Sequence, residues 1–261
     1  MKKTLITPLL FLGTFILIIG AACSFSIGGD KTATVEPLVV VITATPIPKV
    51  ELPTQEIIAA PTEVFTEVPT DTPAPTDFFV EEFDGNMDNY TYFVNNGDES
   101  KMDLRHEEGQ LKFDLNGAYL WPYVLYEPYI YTDVRIDTEA ENIGSNNNSV
   151  TLVCRYDEKL GWYEFNIAND GTWYIAYYDN IIKKGYTTLY DGGSTAIRMG
   201  RNTNTYTAIC QGNQLTLMIN GVLTRTIQNN DLKEGQVGIG ISSYANYPVI
   251  VNFNWMEISQ P

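Results

Sequence analysis

The chain has 261 residues, with 32 acidic against 16 basic side chains, a formal net charge of −16 and a single histidine, His106. The acidic balance argues against a nucleic-acid partner, because phosphate binding needs clustered Lys and Arg. One histidine and three cysteines exclude a Ser-His-Asp triad built away from His106, a metal site with two histidine ligands and a four-cysteine zinc site.

Residues 1–23 have the pattern of a secretory signal peptide. Lys2 and Lys3 precede a mainly apolar stretch, and three small residues lead to Cys23. This order resembles a bacterial lipoprotein signal, which implies that Cys23 is lipidated, although Gly20 stands where that signal prefers Leu, Val or Ile. The alternative is an uncleaved membrane helix, because residues 5–22 are just long enough to span a bilayer. Both interpretations predict a cell-membrane protein, anchored by its N-terminus, with the rest of the chain facing outside.

Residues 24–77 change in composition. They contain eight of the 13 prolines, two aromatic residues, and eight acidic residues against two lysines. Such a segment cannot bury enough apolar surface to offset the entropy lost on ordering. We therefore expect a disordered, Pro/Thr-rich stalk.

Residues 78–261 hold 28 of the 32 aromatic residues and suit one domain. Helical periodicity is nearly absent, whereas apolar–polar alternation recurs between turn signals such as Asn220-Gly221. The pattern predicts an all-β fold, an antiparallel two-sheet β-sandwich. The predicted strands are 110–115, 129–138, 149–156, 162–168, 172–178, 205–211, 214–219, 222–228, 236–243 and 249–258.

Alternation along a strand predicts which side chains face the core. Those expected to face inward include Cys154, Tyr156, Tyr163, Phe165, Ile167, Trp173 and Trp255. Those expected to face outward include Thr151, Val153, Arg155, Trp162, Glu164 and Asn166. If strands 149–156 and 162–168 form a hairpin with a short loop, Arg155 opposes Glu164 as an outward cross-strand ion pair.

Cys154 and Cys210 form an even pair in an exported domain, since Cys23 is assigned to the lipid. Cysteine pairs outside the cytoplasm normally form disulfides. We therefore predict a bond between Cys154 and Cys210.

Several motifs occur in a family-specific order. A Cys-Arg-Tyr strand precedes a Tyr-x-Phe-x-Ile strand, and an Asp-Gly turn follows it. After these come a Cys-x-Gly-(x)₂-Leu-x-Leu strand ending in Asn-Gly, and a Gly-x-Val-Gly strand. This order resembles the concanavalin A-like (laminin-G-like) jelly-roll superfamily over most of 78–261. The resemblance implies two curved sheets, often a carbohydrate or glycoprotein ligand, and often bound calcium.

Catalysis has little support in the sequence. The catalytic glucanases of this superfamily carry Glu-x-Asp-x-Glu on one strand, and this chain lacks the motif. The nearest run places Asp137, Glu139 and Glu141 on one face of a strand, where we expect a solvated strand end rather than a pair of catalytic carboxylates.

Calcium is the one cofactor that the residues suggest. Asp84, Asn86 and Asp88 alternate like the first ligands of a calcium loop, but the glycine and the bidentate glutamate of such a loop are missing. The alternative is an ordinary turn after the first strand.

The candidate ligand site combines outward aromatic rings with hydrogen-bonding groups. Its residues are Arg155, Trp162, Glu164, Asn166 and Tyr174, and the alternative for this face is an ordinary solvated sheet that carries an ion pair. This mixture suits a sugar, and the domain's 12 basic against 24 acidic side chains favour a neutral one. We therefore expect a surface-tethered, non-catalytic module that binds a neutral glycan or a cell-envelope polysaccharide. The alternatives are a glycan hydrolase of a related jelly-roll family, and a structural or sensory ectodomain with a protein partner.

Overall fold

The structure, a computed structural model, describes residues 76–261. The predicted signal segment 1–23 with Cys23, and stalk residues 24–75, lie outside the described residues. Within 76–261, no helix has the length and apolar character needed to cross a membrane. The strands are β1 (Phe79–Glu81), β2 (Tyr90–Asn96), β3 (Met102–Glu107), β4 (Gln110–Leu115), β5 (Trp121–Tyr131), β6 (Val134–Asn142), β7 (Asn148–Asp157), β8 (Gly161–Ala168), β9 (Thr172–Asp179), β10 (Gly185–Gly193), β11 (Thr203–Gln211), β12 (Gln214–Ile219), β13 (Val222–Gln228), β14 (Gly235–Ser243) and β15 (Val249–Ser259).

These strands form two antiparallel sheets, as the sequence predicted. The front sheet has the order β10-β9-β8-β7-β14-β5-β2. The back sheet has the order β13-β12-β11-β6-β15-β4-β3, with β1 paired to β15. Neighbours such as β6 and β11 are far apart in sequence, so the two sheets are interwoven into a jelly roll.

The core lies between the two sheets. On β6, buried and half-buried residues alternate strictly from Val134 to Asn142, because every second side chain points at the front sheet. On β8, Tyr163, Phe165 and Ile167 point the other way into the same core and are fully buried. Burial of the large apolar side chains stabilises the fold by about 1.5–3 kcal/mol each.

Most predicted strands are confirmed within one or two residues of their ends, and 110–115 matches β4. The single strand predicted at 129–138 is wrong, because a turn at Thr132-Asp133 divides β5 from β6. The ten predicted strands also leave out β2, β3, β10 and the first part of β5, and β1 was expected only as the strand before the turn at Asp84. Pro122 and Pro128 lie within β5, and proline usually argues against a strand because it cannot donate to the ladder.

The predicted disulfide is confirmed: Cys154 on β7 is bonded to Cys210 on β11, with the Cα atoms 6.7 Å apart. Because β7 belongs to the front sheet and β11 to the back sheet, the bond ties the two layers together. It links residues 56 positions apart.

The predicted Arg155–Glu164 pair is wrong. The β7–β8 register places Glu164 opposite Val153, two residues away from the predicted partner, and a bulge interrupts the ladder after Cys154. Within that bulge Arg155 has a φ of +54°, which turns its side chain away from the outer face. Arg155 instead enters the rim between the sheets, where it is 1% exposed.

Bulges also explain why two side chains lie on the opposite face of their strand from the one that the sequence predicts. Tyr156, expected in the core, packs with the outer aromatic residues, because the bulge at Arg155 reverses the alternation after Cys154. Trp255 was also expected in the core, but it lies opposite Glu139, outside the buried core. A bulge between Phe253 and Trp255 causes this second reversal.

Candidate functional site

The outer face of the front sheet, the side away from the back sheet, is strongly curved. Tyr186 on β10 and Asn95 on β2 occupy opposite edges of this seven-stranded sheet, yet the Asn95 Nδ2 atom lies 2.9 Å from the Tyr186 hydroxyl. A flat sheet with this number of strands would separate its edges by about 29 Å, since neighbouring strands are ~4.8 Å apart. The outer face is therefore concave, and its side chains converge.

Glu164 on β8 lies at the centre of this concave face and is 2% exposed. Its Oε1 atom accepts hydrogen bonds from Trp162 Nε1 at 2.6 Å and from the Tyr186 hydroxyl at 2.8 Å. Its Oε2 atom accepts from Asn166 Nδ2 at 3.0 Å, and the Thr151 hydroxyl in turn fixes the Asn166 amide oxygen at 2.6 Å. The carboxylate is thus held rigidly by neighbouring side chains.

The Tyr186 hydroxyl connects the two edges of the face. It donates its proton to Glu164 and accepts a hydrogen bond from Asn95. The Tyr123 hydroxyl lies 3.0 Å away, and because the proton of Tyr186 is already used, Tyr123 is the donor in this contact. The network therefore spans β2, β5, β8 and β10.

Burial raises the pKa of the Glu164 carboxyl above its usual range, and the hydrogen bonds from Asn166, Trp162 and Tyr186 oppose that shift. Burial also raises the pKa of Tyr186, and the nearby negative charge of Glu164 adds to the effect. The site therefore combines a buried acid with neutral phenol groups, an environment in which a polar ligand meets fixed donors and acceptors.

A pocket of about 220 Å³ opens above Glu164. Its lining residues are Trp121, Tyr123, Glu164, Tyr174, Tyr186 and Ser242. Within the described part of the chain, the Trp121 indole N–H has no hydrogen-bond partner. The pocket therefore has aromatic walls, the Glu164 carboxyl group at its floor and one donor without a partner.

The structure brings four of the five predicted site residues together. Glu164 and Tyr174 line the pocket, while Trp162 and Asn166 hold the Glu164 carboxylate from below. Arg155 is elsewhere: its guanidinium donates to the carbonyl oxygens of Thr132, Gly212 and Leu232 at 2.8–3.1 Å.

Sequence reasoning missed Trp121, Tyr123, Tyr186 and Ser242. Trp121 and Tyr123 flank Pro122 in an aromatic-rich stretch of the sequence, and the predicted strands do not cover this part of β5. No sequence signal placed Tyr186 near Glu164, because β10 reaches this point through the curvature of the whole sheet.

The other acidic candidates lie apart from the pocket. Asp137 and Glu139 share the outer face of the back sheet, as alternation predicted, and Asp137 pairs with Arg135 at 2.5 Å. Asp84, Asn86 and Asp88 lie in the loop between β1 and β2. Among the residues that the structure describes, no group of three or more His, Cys, Asp or Glu side chains could hold a metal ion.

Neither family models nor curated protein sequences match the chain. Solved structures do, at low identity. A Bacillus licheniformis β-glucanase is 14% identical with a TM-score of 0.51, and the match covers 72% of this chain and 100% of that one. A β-1,3-1,4-glucanase (lichenase) derived from a mouse hindgut metagenome is 11% identical with a TM-score of 0.52, covering 71% and 100%.

A third solved structure is a protein of unknown function with a galectin-like fold from Bacillus subtilis. It is 9% identical with a TM-score of 0.53, and the match covers 70% of this chain and 94% of that one. At such identities the likeness shows a fold rather than an activity. The chain has the concanavalin A-like jelly-roll fold.

Proposed function

We propose that this chain is a surface-tethered, non-catalytic binding module that holds a neutral glycan in the pocket above Glu164. The observation that carries the proposal is the combination of aromatic walls with a buried, rigidly held carboxylate in one pocket. Aromatic faces pack against the C–H surface of a sugar ring, while fixed polar groups bind its hydroxyls. The proposed tether and outside location both rest on the secretory signal that the sequence predicts to end at Cys23.

The charge of the domain supports a neutral ligand. Residues 78–261 carry a net charge of −12, and the pocket has a carboxylate at its floor with no Lys or Arg among its lining residues. The net negative charge repels an anionic polymer, most strongly at low salt, and the pocket lining offers no cationic side chain to bind one. The glucanases among the structural neighbours suggest mixed-linkage β-1,3-1,4-glucan as the first probe, beside other neutral cell-envelope polysaccharides.

Binding without cleavage is favoured over hydrolysis by the pocket's chemistry. Glycoside hydrolysis uses two carboxyl groups about 5–9.5 Å apart. Glu164 is the only carboxylate among the residues that line the pocket, and Asp137 and Glu139 belong to the other sheet. A raised pKa on Glu164 alone provides an acid without a nucleophile or base to complete the reaction.

The test uses the full chain in a sugar-free polyoxyethylene detergent, applied to an array of neutral and anionic polysaccharides. Binding to the glycan that scores highest is then measured by calorimetry for two tryptophan variants. Trp121→Ala removes a pocket wall, and we expect affinity to fall about tenfold or more. Trp255→Ala is the matched control, because this half-buried tryptophan lies opposite Glu139 on the back sheet.

Three outcomes contradict the proposal. The first is a full array without a neutral glycan bound, which would favour a protein partner. The second is an equal loss of affinity in both variants. The third is release of reducing sugar by the wild type that disappears in Glu164→Gln, which would assign the chain to the hydrolases.

A further inference from the structure

A row of aromatic rings crosses the concave face from edge to edge. We call it the aromatic barrier, and its members are Phe93, Tyr123, Tyr156, Trp162, Tyr178 and Tyr186. Trp162 stands at its centre, with its ring 4.1 Å from Tyr178 and 5.5 Å from Phe93. Tyr178 continues the row to Tyr186 at 4.8 Å. These distances are those of packed aromatic pairs, so the row forms a continuous wall.

Strand β14, beneath the barrier, is shaped to accommodate it. Gly240 of β14 lies directly under Tyr123, and a Cβ atom at Gly240 would stand 2.7 Å from the Tyr123 Cδ1 atom. A Cβ atom at Gly238 would stand 2.8 Å from the Leu125 Cδ2 atom. Because the two glycines lack a Cβ atom, these β5 side chains can pack flat against the backbone of β14. The barrier is therefore packed into the sheet, with its central residues Tyr123 and Trp162 no more than 3% exposed.

The barrier separates two openings with no lining residue in common. The pocket above Glu164 touches the barrier through Tyr123 and Tyr186. The second opening, of about 550 Å³, touches it through Phe93 and Tyr156. The second opening also has charged walls, which include Glu127, Asp157, Glu158 and Lys159.

We infer that the pocket above Glu164 receives the end of a glycan chain rather than a segment from its interior. This inference rests on the proposed function and deepens it. An interior segment must leave the site in both directions, and the hydrogen-bonded Tyr186 closes one of them. The volume of about 220 Å³ is below the 300–1,000 Å³ typical of pockets for larger ligands, and it suits a terminal sugar unit.

The test needs no variant, so misfolding cannot obscure it. The probes are linear di-, tetra- and octasaccharide fragments of mixed-linkage β-glucan, or of the neutral polysaccharide that binds in its place on the array. For the full chain, we expect calorimetry to give one protein per glycan chain at every length. We expect molar affinities within about threefold of one another, because only the terminal unit contributes.

End modification gives a second, independent readout. Each tetrasaccharide is compared with its borohydride-reduced form and with a form O-methylated on the non-reducing terminal sugar. We expect one of these two changes to lower affinity at least tenfold. A protein-to-glycan ratio that rises with chain length, or equal affinity for all three forms, would overturn this inference while leaving glycan binding intact. Absence of binding by every neutral glycan would overturn the proposed function and this inference together.

Discussion

Two regions around the β7–β8 hairpin each bury a charged side chain, and they use it differently. At the rim between the sheets, Arg155 donates to the main-chain carbonyl oxygens of Thr132, Gly212 and Leu232. On the concave face, Glu164 accepts hydrogen bonds from the side chains of Trp162, Asn166 and Tyr186, next to an open pocket. Sequence alternation placed both residues on one surface, and a single bulge separates them.

The difference indicates which buried charge is structural. The Arg155 guanidinium links three turns beside the inter-sheet disulfide, and it donates its hydrogen bonds to main-chain carbonyl oxygens of the fold itself. Glu164 faces a volume of about 220 Å³ that a ligand can enter. We therefore expect changes at the rim to alter stability, and changes in the pocket to alter binding.

The largest expected effect is at the rim, on reduction of Cys154–Cys210. In the chain-entropy model, a disulfide between residues 56 positions apart stabilises the fold by about 4 kcal/mol. Urea unfolding with and without a reductant should show a loss of that order. Intact folded protein that alkylates at both residues without prior reduction would contradict the bond.

A somewhat smaller effect is expected for Arg155→Met, which keeps the length of the side chain but removes its donors. Three carbonyl oxygens at the rim lose their partner, so we expect the free energy of unfolding to fall by about 3 kcal/mol. Calorimetry on the protein that remains folded should give wild-type affinity for the glycan. A selective loss of binding would return Arg155 to the site.

The pH dependence of stability should distinguish the pocket from the rim. Burial raises the pKa of Glu164 in the folded state above its value in the unfolded chain. The protonated side chain therefore makes its full contribution to stability at pH values below the usual glutamate pKa. That contribution is lost as pH rises through the raised pKa, because the folded protein must then bury a charge. In Glu164→Gln this change disappears. Urea unfolding should therefore show the variant gaining stability relative to the wild type as pH rises from the usual glutamate range through the raised pKa, and a constant difference would contradict the account.

The smallest effect is expected on the outer face of the back sheet. Asp137→Asn weakens the contact with Arg135, whose side chain is 37% exposed. Partly exposed ion pairs contribute about 0.2–1 kcal/mol, so the change in unfolding free energy should not exceed that range, and glycan affinity should not change. A large loss of glycan affinity would indicate that the ligand binds the back sheet, which would contradict the proposed pocket on the front sheet.

The sequence predicted the fold well because alternation and turn signals are local. Strands β7, β8, β9, β11 and β12 were located within two residues, and the Cys154–Cys210 bond followed from an even cysteine pair in a domain predicted to be exported. The alternation rule failed beyond two bulges, one at Arg155 and one just before Trp255. At each bulge one extra residue reverses the face of every later side chain in the strand. The positive φ angle of Arg155, which marks the bulge, has no signature in the sequence.

Half of the candidate site was also predictable. Trp162, Glu164 and Asn166 follow from the alternation of β8 alone. Tyr186 does not, because its position over Glu164 depends on the curvature of seven strands and on the contact with Asn95 at the far edge. The closure of the concave face is a property of the assembled sheet.

The most direct test of the central claim is a crystal structure of the protein with the glycan that binds on the array. The account predicts a sugar ring in the pocket above Glu164, packed against Trp121, Tyr174 or Tyr186, with a hydroxyl within hydrogen-bond distance of the carboxylate. A glycan bound on the outer face of the back sheet, or only in the second opening beyond the aromatic barrier, would contradict it.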